Sequence, residues 1–144
     1  MDRQEIELTA TKENLNVVMS VIDEYLDTYN CPMKNHVQIN VAVDEIYSNV
    51  SLYAYVDGDA AGPMEDRIRV SIEHIENGFV LEFVDGGIPY NPLEKEDPDV
   101  TLSAHERQIG GLGVFIVKKT MDKVEYAREN ELNIVTLTKY VDSK

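Results

Sequence analysis

The stretch IRVSIEHIENGFVLEFVDGG, residues 68–87, decides the fold. Ile68, Val70 and Ile72 alternate with polar residues, and Phe79, Leu81 and Phe83 do the same further on. A period of two puts one set of side chains on one face of a pleated strand. Asn77-Gly78 lies between the two runs, and Asn-Gly between alternating segments is the strongest short-range signal for a hairpin. Two antiparallel strands follow, and the second one ends on Asp85-Gly86-Gly87.

Outward from this hairpin the chain alternates in character. Ile6, Leu8 and Ala10 predict a half-buried strand over residues 5–11. Leu15, Val18, Met19, Ile22 and Leu26 recur at helical spacing and predict an amphipathic helix over residues 13–29, broken at Asn30-Cys31-Pro32. Ile39, Val43, Ile46 and Val50 form the apolar stripe of a second helix over residues 33–54, and residues 57–65 read as a loop. Residues 85–109 are rich in glycine, proline and acid, a connection long enough to be functional in a compact domain. A short buried helix over residues 113–122 follows. A second hairpin, residues 124–127 and 133–140, turns around Glu129-Asn130-Glu131. Hairpin-linked strands with helices gathered on one side make an α/β fold, a two-layer α/β sandwich whose sheet is mixed and mostly antiparallel. With no repeat or linker in view, residues 1–144 are expected to be one domain.

Composition narrows the function classes. Of 144 residues, 43% are hydrophobic and 28% charged, ordinary for a globular protein. Twenty-seven acidic against thirteen basic residues give a net charge of −14, the opposite of a nucleic-acid-binding footprint. Any polyphosphate bound here needs metal ions, backbone N–H groups and local cations to offset that charge. Cys31 is the single cysteine, so no internal disulfide forms. The N-terminus has no apolar signal region and no run is long enough to span a membrane, which points to the cytoplasm. His36, His74 and His105 lack metal-ligand spacing, and none of the serines sits in a nucleophile elbow. Tyr25, Tyr29, Tyr47, Tyr55, Tyr126 and Tyr140 read as margins of the core.

Three segments carry candidate chemistry. In VDEIYSNVSLYAY, residues 43–55, Glu45 and Asn49 are four apart and share a helix face beside the apolar stripe. A carboxylate there can take a proton or orient water, and an amide oxygen can ligate Mg²⁺. The same pair also fits a solvated helix edge. In VDGGIPYNP, residues 84–92, the glycines allow close approach of a ligand, and Asp85 could accept from an exocyclic amine. In ERQIGGLGVFIVKKTMD, residues 106–122, Gly110, Gly111 and Gly113 lead into a helix whose first N–H groups favour anions, with Arg107 upstream. The spacing is neither a P-loop nor a dinucleotide-binding fingerprint.

In order and setting, these segments resemble the nucleotide-binding boxes of the GHKL ATPases and kinases (the Bergerat fold). The resemblance is to the branch of anti-sigma-factor serine kinases and spans nearly the whole chain. It implies ATP and Mg²⁺ as cofactors, Glu45 as catalytic base or water-orienting group, and Asn49 as the Mg²⁺ ligand. It further implies Asp85 and Gly87 at the adenine, and Arg107, Gly110, Gly111 and Gly113 closing over the phosphates, with residues 91–109 as a lid. The chain departs from the wider family at Pro89, where larger members carry glycine. Tyr53 stands where many anti-sigma kinases have histidine, and Asn133 where a threonine often assists adenine binding. By resemblance, the partners are a STAS-type anti-anti-sigma protein and a sigma factor, and the chain is a homodimer. The alternatives are a nucleotide-gated binding module without transfer activity and a stand-alone histidine-kinase-like catalytic domain.

Overall fold

The computed structural model describes residues 3–54, 66–94 and 112–141. Strand β1, Arg3–Thr9, leads into helix α1, Leu15–Thr28. Helix α2, Met33–Asn49, continues into a π-helical turn, Val50–Ala54. The hairpin of β2, Arg67–Ile75, and β3, Gly78–Asp85, follows, and then a 3₁₀ turn at Pro92–Glu94. Helix α3, Leu112–Thr120, precedes a second hairpin of β4, Lys123–Glu129, and β5, Leu132–Tyr140. The five strands form one sheet in the order β1-β2-β3-β5-β4, antiparallel at all four pairings. The α/β sandwich read from the sequence is thus present, with its sheet wholly antiparallel among the described residues.

The alternation in β2 and β3 buries one face. Ile68, Val70 and Ile72 join Phe79, Leu81, Phe83, Val135 and Leu137 against Val18, Ile22 and Leu26 of α1 and Ile39, Val43 and Ile46 of α2. Each such side chain contributes roughly 1.5–3 kcal/mol when fully buried. The opposite face carries an ion-pair ladder instead: Arg67 to Glu7 at 3.1 Å, Arg69 to Glu5 at 3.2 Å, and Arg3 to Glu82 at 3.4 Å. Exposed pairs of this kind add little stability each; the first two join β1 to β2, and the third joins β1 to β3. Leu8 pairs with Ile68 and Ile6 with Val70, which keeps every apolar residue of β1 on the core side.

Local chemistry sets the element ends. Asn30, at φ 56°, turns left-handed after α1, so Cys31 N–H reaches the Leu26 carbonyl at 3.0 Å and Asn30 N–H reaches Asp27 at 3.1 Å. This paired return closes the helix, and Pro32 prevents its continuation. His36 on α2 ties to Asp23 on α1 at 2.8 Å, a fastening between helices. The β2–β3 turn falls at Glu76-Asn77, since Ile75 pairs with Gly78, one residue earlier than the Asn-Gly signal suggests. Gly78 serves a different need: a Cβ there would lie 2.2 Å from the Lys139 carbonyl oxygen of β5. The β4–β5 turn does use two left-handed residues, Asn130 at φ 54° and Glu131 at φ 66°. No described helix is long and apolar enough to cross a membrane.

Candidate functional site

The C-terminal half of α2 lies beside α3, and the loop leaving β3 covers the same end of the sheet. Five of the sequence-selected residues, Glu45, Asn49, Asp85, Gly87 and Gly113, meet there in two groups. Arg107, Gly110 and Gly111, and most of the lid at residues 91–109, lie outside the described residues, as does the side chain of Tyr53.

The first group joins α2 to α3. The Asn49 amide nitrogen donates to the main-chain carbonyl of Glu45 at 2.7 Å and to its carboxylate Oε2 at 2.9 Å. Two acceptors on that side settle which end of the amide is nitrogen, because the oxygen placed there would face two other oxygens. Asn49 Oδ1 therefore faces the other way, where the Tyr90 hydroxyl donates to it at 2.9 Å. Asn49 is 3% exposed, so its partners replace water rather than compete with it. The Glu45 carboxylate lies directly over Gly113 in the first turn of α3. A Cβ on Gly113 would come within 2.0 Å of Glu45 Cδ and Oε1. Glycine at 113 is what admits the carboxylate to the start of that helix.

The second group is centred on Asp85, 2% exposed at the end of β3. Its Oδ1 accepts from the Gly87 N–H at 2.9 Å and from the Asn133 side-chain nitrogen at 2.9 Å. Both of these bonds fall on Oδ1. Burial pushes the Asp85 carboxyl above the usual carboxylate range; the bonds from Asn133 and Gly87 and the Arg128 guanidinium oppose that rise. Asn133 pairs with Asp85 across β3 and β5 and uses its whole amide. Its nitrogen also donates to the Ile88 carbonyl at 2.8 Å. Its oxygen accepts from the Tyr90 N–H at 3.2 Å, the Tyr126 hydroxyl at 2.5 Å and Arg128 Nη1 at 3.1 Å. Arg128 donates as well to the Gly87 carbonyl at 3.0 Å. The loop after β3 is thus fastened by side chains from β4 and β5.

Sequence reasoning missed this fastening. Tyr126 was expected at a core margin, yet its hydroxyl enters the site, with its own ionisation raised by burial. Asn133, standing where a threonine often assists adenine binding in the branch it resembles, has its amide committed to holding the loop. Arg128 gave no signal at all. Only the β-pairing of Asp85 with Asn133, and of Arg128 with Asn133, brings them together.

The donor set suits a magnesium nucleotide. Mg²⁺ prefers hard oxygen ligands, keeps several waters and is bound through one or two protein oxygens plus phosphates. Asn49 Oδ1 is such an oxygen, and its orientation is fixed by Glu45. No cluster of three or more histidine, cysteine or acidic side chains fit for a metal occurs among the described residues.

Residues 8–139 match the histidine kinase-like ATPase domain. The chain belongs to that family. It is 24% identical over 102 residues to the serine/threonine-protein kinase BtrW of Bordetella bronchiseptica, covering 71% of this chain and 68% of BtrW. It is 23% identical to the serine-protein kinase RsbW of Staphylococcus aureus, over 95% of this chain and 86% of RsbW. Among solved structures, that of the RsbU and RsbW domains of Rv1364c from Mycobacterium tuberculosis superposes with a TM-score of 0.70 at 14% identity. That superposition takes in all of this chain but only 34% of the larger protein. The histidine kinase-like ATPase fold expected from the order of the boxes is the fold observed.

Proposed function

We propose that this chain is an ATP-dependent protein serine kinase of the anti-sigma type, acting on a STAS-type anti-anti-sigma protein and sequestering a sigma factor by protein contact. The observation that carries the proposal is the placement of the Glu45 carboxylate at the start of α3, held by the Asn49 amide at 2.9 Å and admitted by Gly113. The named relatives BtrW and RsbW, both serine kinases, support the same reading.

The roles in this reading are those that the family resemblance implies. Asp85 Oδ2 accepts from the adenine amine, and Gly87 lets the base approach the loop. Asn49 Oδ1 would hold Mg²⁺, which when bound would neutralise charge on the phosphates. Gly110, Gly111 and Gly113 with Arg107 take the phosphate oxygens at the N-terminus of α3. Glu45 accepts the proton of the partner's serine hydroxyl as its oxygen attacks the γ-phosphorus. The bond from that phosphorus to the β–γ bridging oxygen breaks, and ADP leaves. Catalysis of this kind is positioning and charge stabilisation, with the base adding roughly 10²–10⁴-fold. Residues 1–144 act as one cytoplasmic domain, and the kinase is a homodimer.

The test is incubation with γ-³²P-ATP and Mg²⁺ alongside candidate STAS-type proteins. Label on a serine of one of them is expected. A chain that binds Mg-ATP but labels none of them refutes the kinase assignment and leaves a nucleotide-gated binding module in its place.

A further inference from the structure

Tyr90 sits where the two halves of the site meet. Its main-chain N–H donates to Asn133 Oδ1 at 3.2 Å, and its hydroxyl donates to Asn49 Oδ1 at 2.9 Å. With the bonds already described, a continuous chain runs from the Glu45 carboxylate through Asn49, Tyr90 and Asn133 to Asp85. Among the described residues, Tyr90 is the link in it that joins the loop after β3 to helix α2.

We propose that Tyr90 is a positioning residue for the metal ligand, its hydroxyl holding the Asn49 amide oxygen and coupling the adenine-reading loop to Mg²⁺. This rests on the nucleotide-binding reading given above. An amide oxygen has two lone pairs. The Tyr90 hydroxyl occupies one and so fixes the direction of the other, which is the one a metal takes. Groups that hydrogen-bond a metal ligand typically contribute 10–100-fold to metal affinity by fixing its orientation. Phenylalanine at 90 would keep the ring and the main-chain bond to Asn133 and delete only the hydroxyl.

The experiment measures ATP affinity as a function of Mg²⁺ concentration for wild type, Tyr90→Phe, Asn49→Ala and the double variant, with metal-free adenosine binding in parallel. Tyr90→Phe is expected to raise the half-saturating Mg²⁺ concentration about tenfold and to leave adenosine affinity within about twofold. In the Asn49→Ala background the same substitution should have no further effect on Mg²⁺ dependence, because Tyr90 acts through Asn49. An unchanged or lowered Mg²⁺ requirement in Tyr90→Phe overturns the inference. So does an equal loss of adenosine and Mg-ATP affinity, which would mark a purely structural role. If wild type itself binds ATP without regard to Mg²⁺, the proposed function fails instead, and the two failures are told apart by that one curve.

Discussion

Gly113→Ala is a small substitution with a large expected consequence. The added Cβ would stand 2.0 Å from Glu45 Cδ and Oε1 and 2.4 Å from Oε2. Ordinary van der Waals contact begins near 3.4 Å, so the carboxylate must retreat by about 1.4 Å. The atoms in the way are the far end of a flexible side chain, and the retreat is therefore open to it. What it forfeits is the bond from Asn49 to Oε2, worth roughly 1.5–3 kcal/mol as a hydrogen bond to a charged group. Alanine in a helix is better than glycine by up to about 1 kcal/mol, which offsets part of that. Net stability should thus fall by no more than about 3 kcal/mol. Phosphoryl transfer should suffer far more, since a displacement of about 1 Å at a reacting group can cost roughly 100-fold. Urea denaturation gives the first quantity and single-turnover transfer at saturating ATP the second. A variant that transfers at the wild-type rate with Glu45 unmoved in its crystal structure would refute the packing of Glu45 against α3.

Three other outcomes follow from the same structure. Asp85→Asn should abolish most adenine affinity yet leave the protein at least as stable at pH 7, because it removes a group whose ionised form burial disfavours. The folded-state pKa of Asp85 is raised, so its stabilising contribution is present below the ordinary carboxylate value and is lost as pH rises through the raised one. Wild type should accordingly gain on the Asn variant in urea melts as pH is lowered from 7 toward 4, and a constant gap would contradict this. Asn133→Ala would leave the Tyr90 N–H, the Tyr126 hydroxyl, Arg128 and the Ile88 carbonyl short of a partner; a loss of about 3 kcal/mol or more in chemical denaturation is expected, and a loss under about 1 kcal/mol would refute the fastening role. Glu131→Gly should stabilise the fold by roughly 0.5–1 kcal/mol, since Glu131 holds φ 66° without glycine's freedom, and a lowered melting temperature would argue against strain in that turn.

The parts of the fold legible in the sequence are those set by short-range pattern. Period-two alternation at Ile68–Ile72 and Phe79–Phe83, and the stripe from Ile39 to Val50, each state their own burial. Helix α1 and the β4–β5 turn were legible for the same reason. Two details were not. The Asn-Gly signal gave the right hairpin for a different physical reason, because Gly78 answers to the β5 backbone and not to the turn. The end of the second helix widens into a π turn at Val50–Ala54, which its apolar spacing does not distinguish from an α-helix. At the site, Glu45 and Asn49 were visible as an i,i+4 pair, and Asp85 and Gly87 as a strand-end motif. Their supports were not, since Tyr90, Tyr126, Arg128 and Asn133 meet only through cross-strand pairing and the fold of the loop. Long-range register is a property of the whole sheet, and no local spacing encodes it.

One substitution decides whether Glu45 is the base of a serine kinase. Glu45→Gln keeps the size of the side chain and removes the proton acceptor, while Asn49, Asp85 and the glycines remain. Single-turnover transfer to an identified protein substrate, measured at saturating Mg-ATP with affinity titrated separately, should fall roughly 10²–10⁴-fold with ATP affinity little changed. Transfer undiminished in Glu45→Gln would rule out Glu45 as the base.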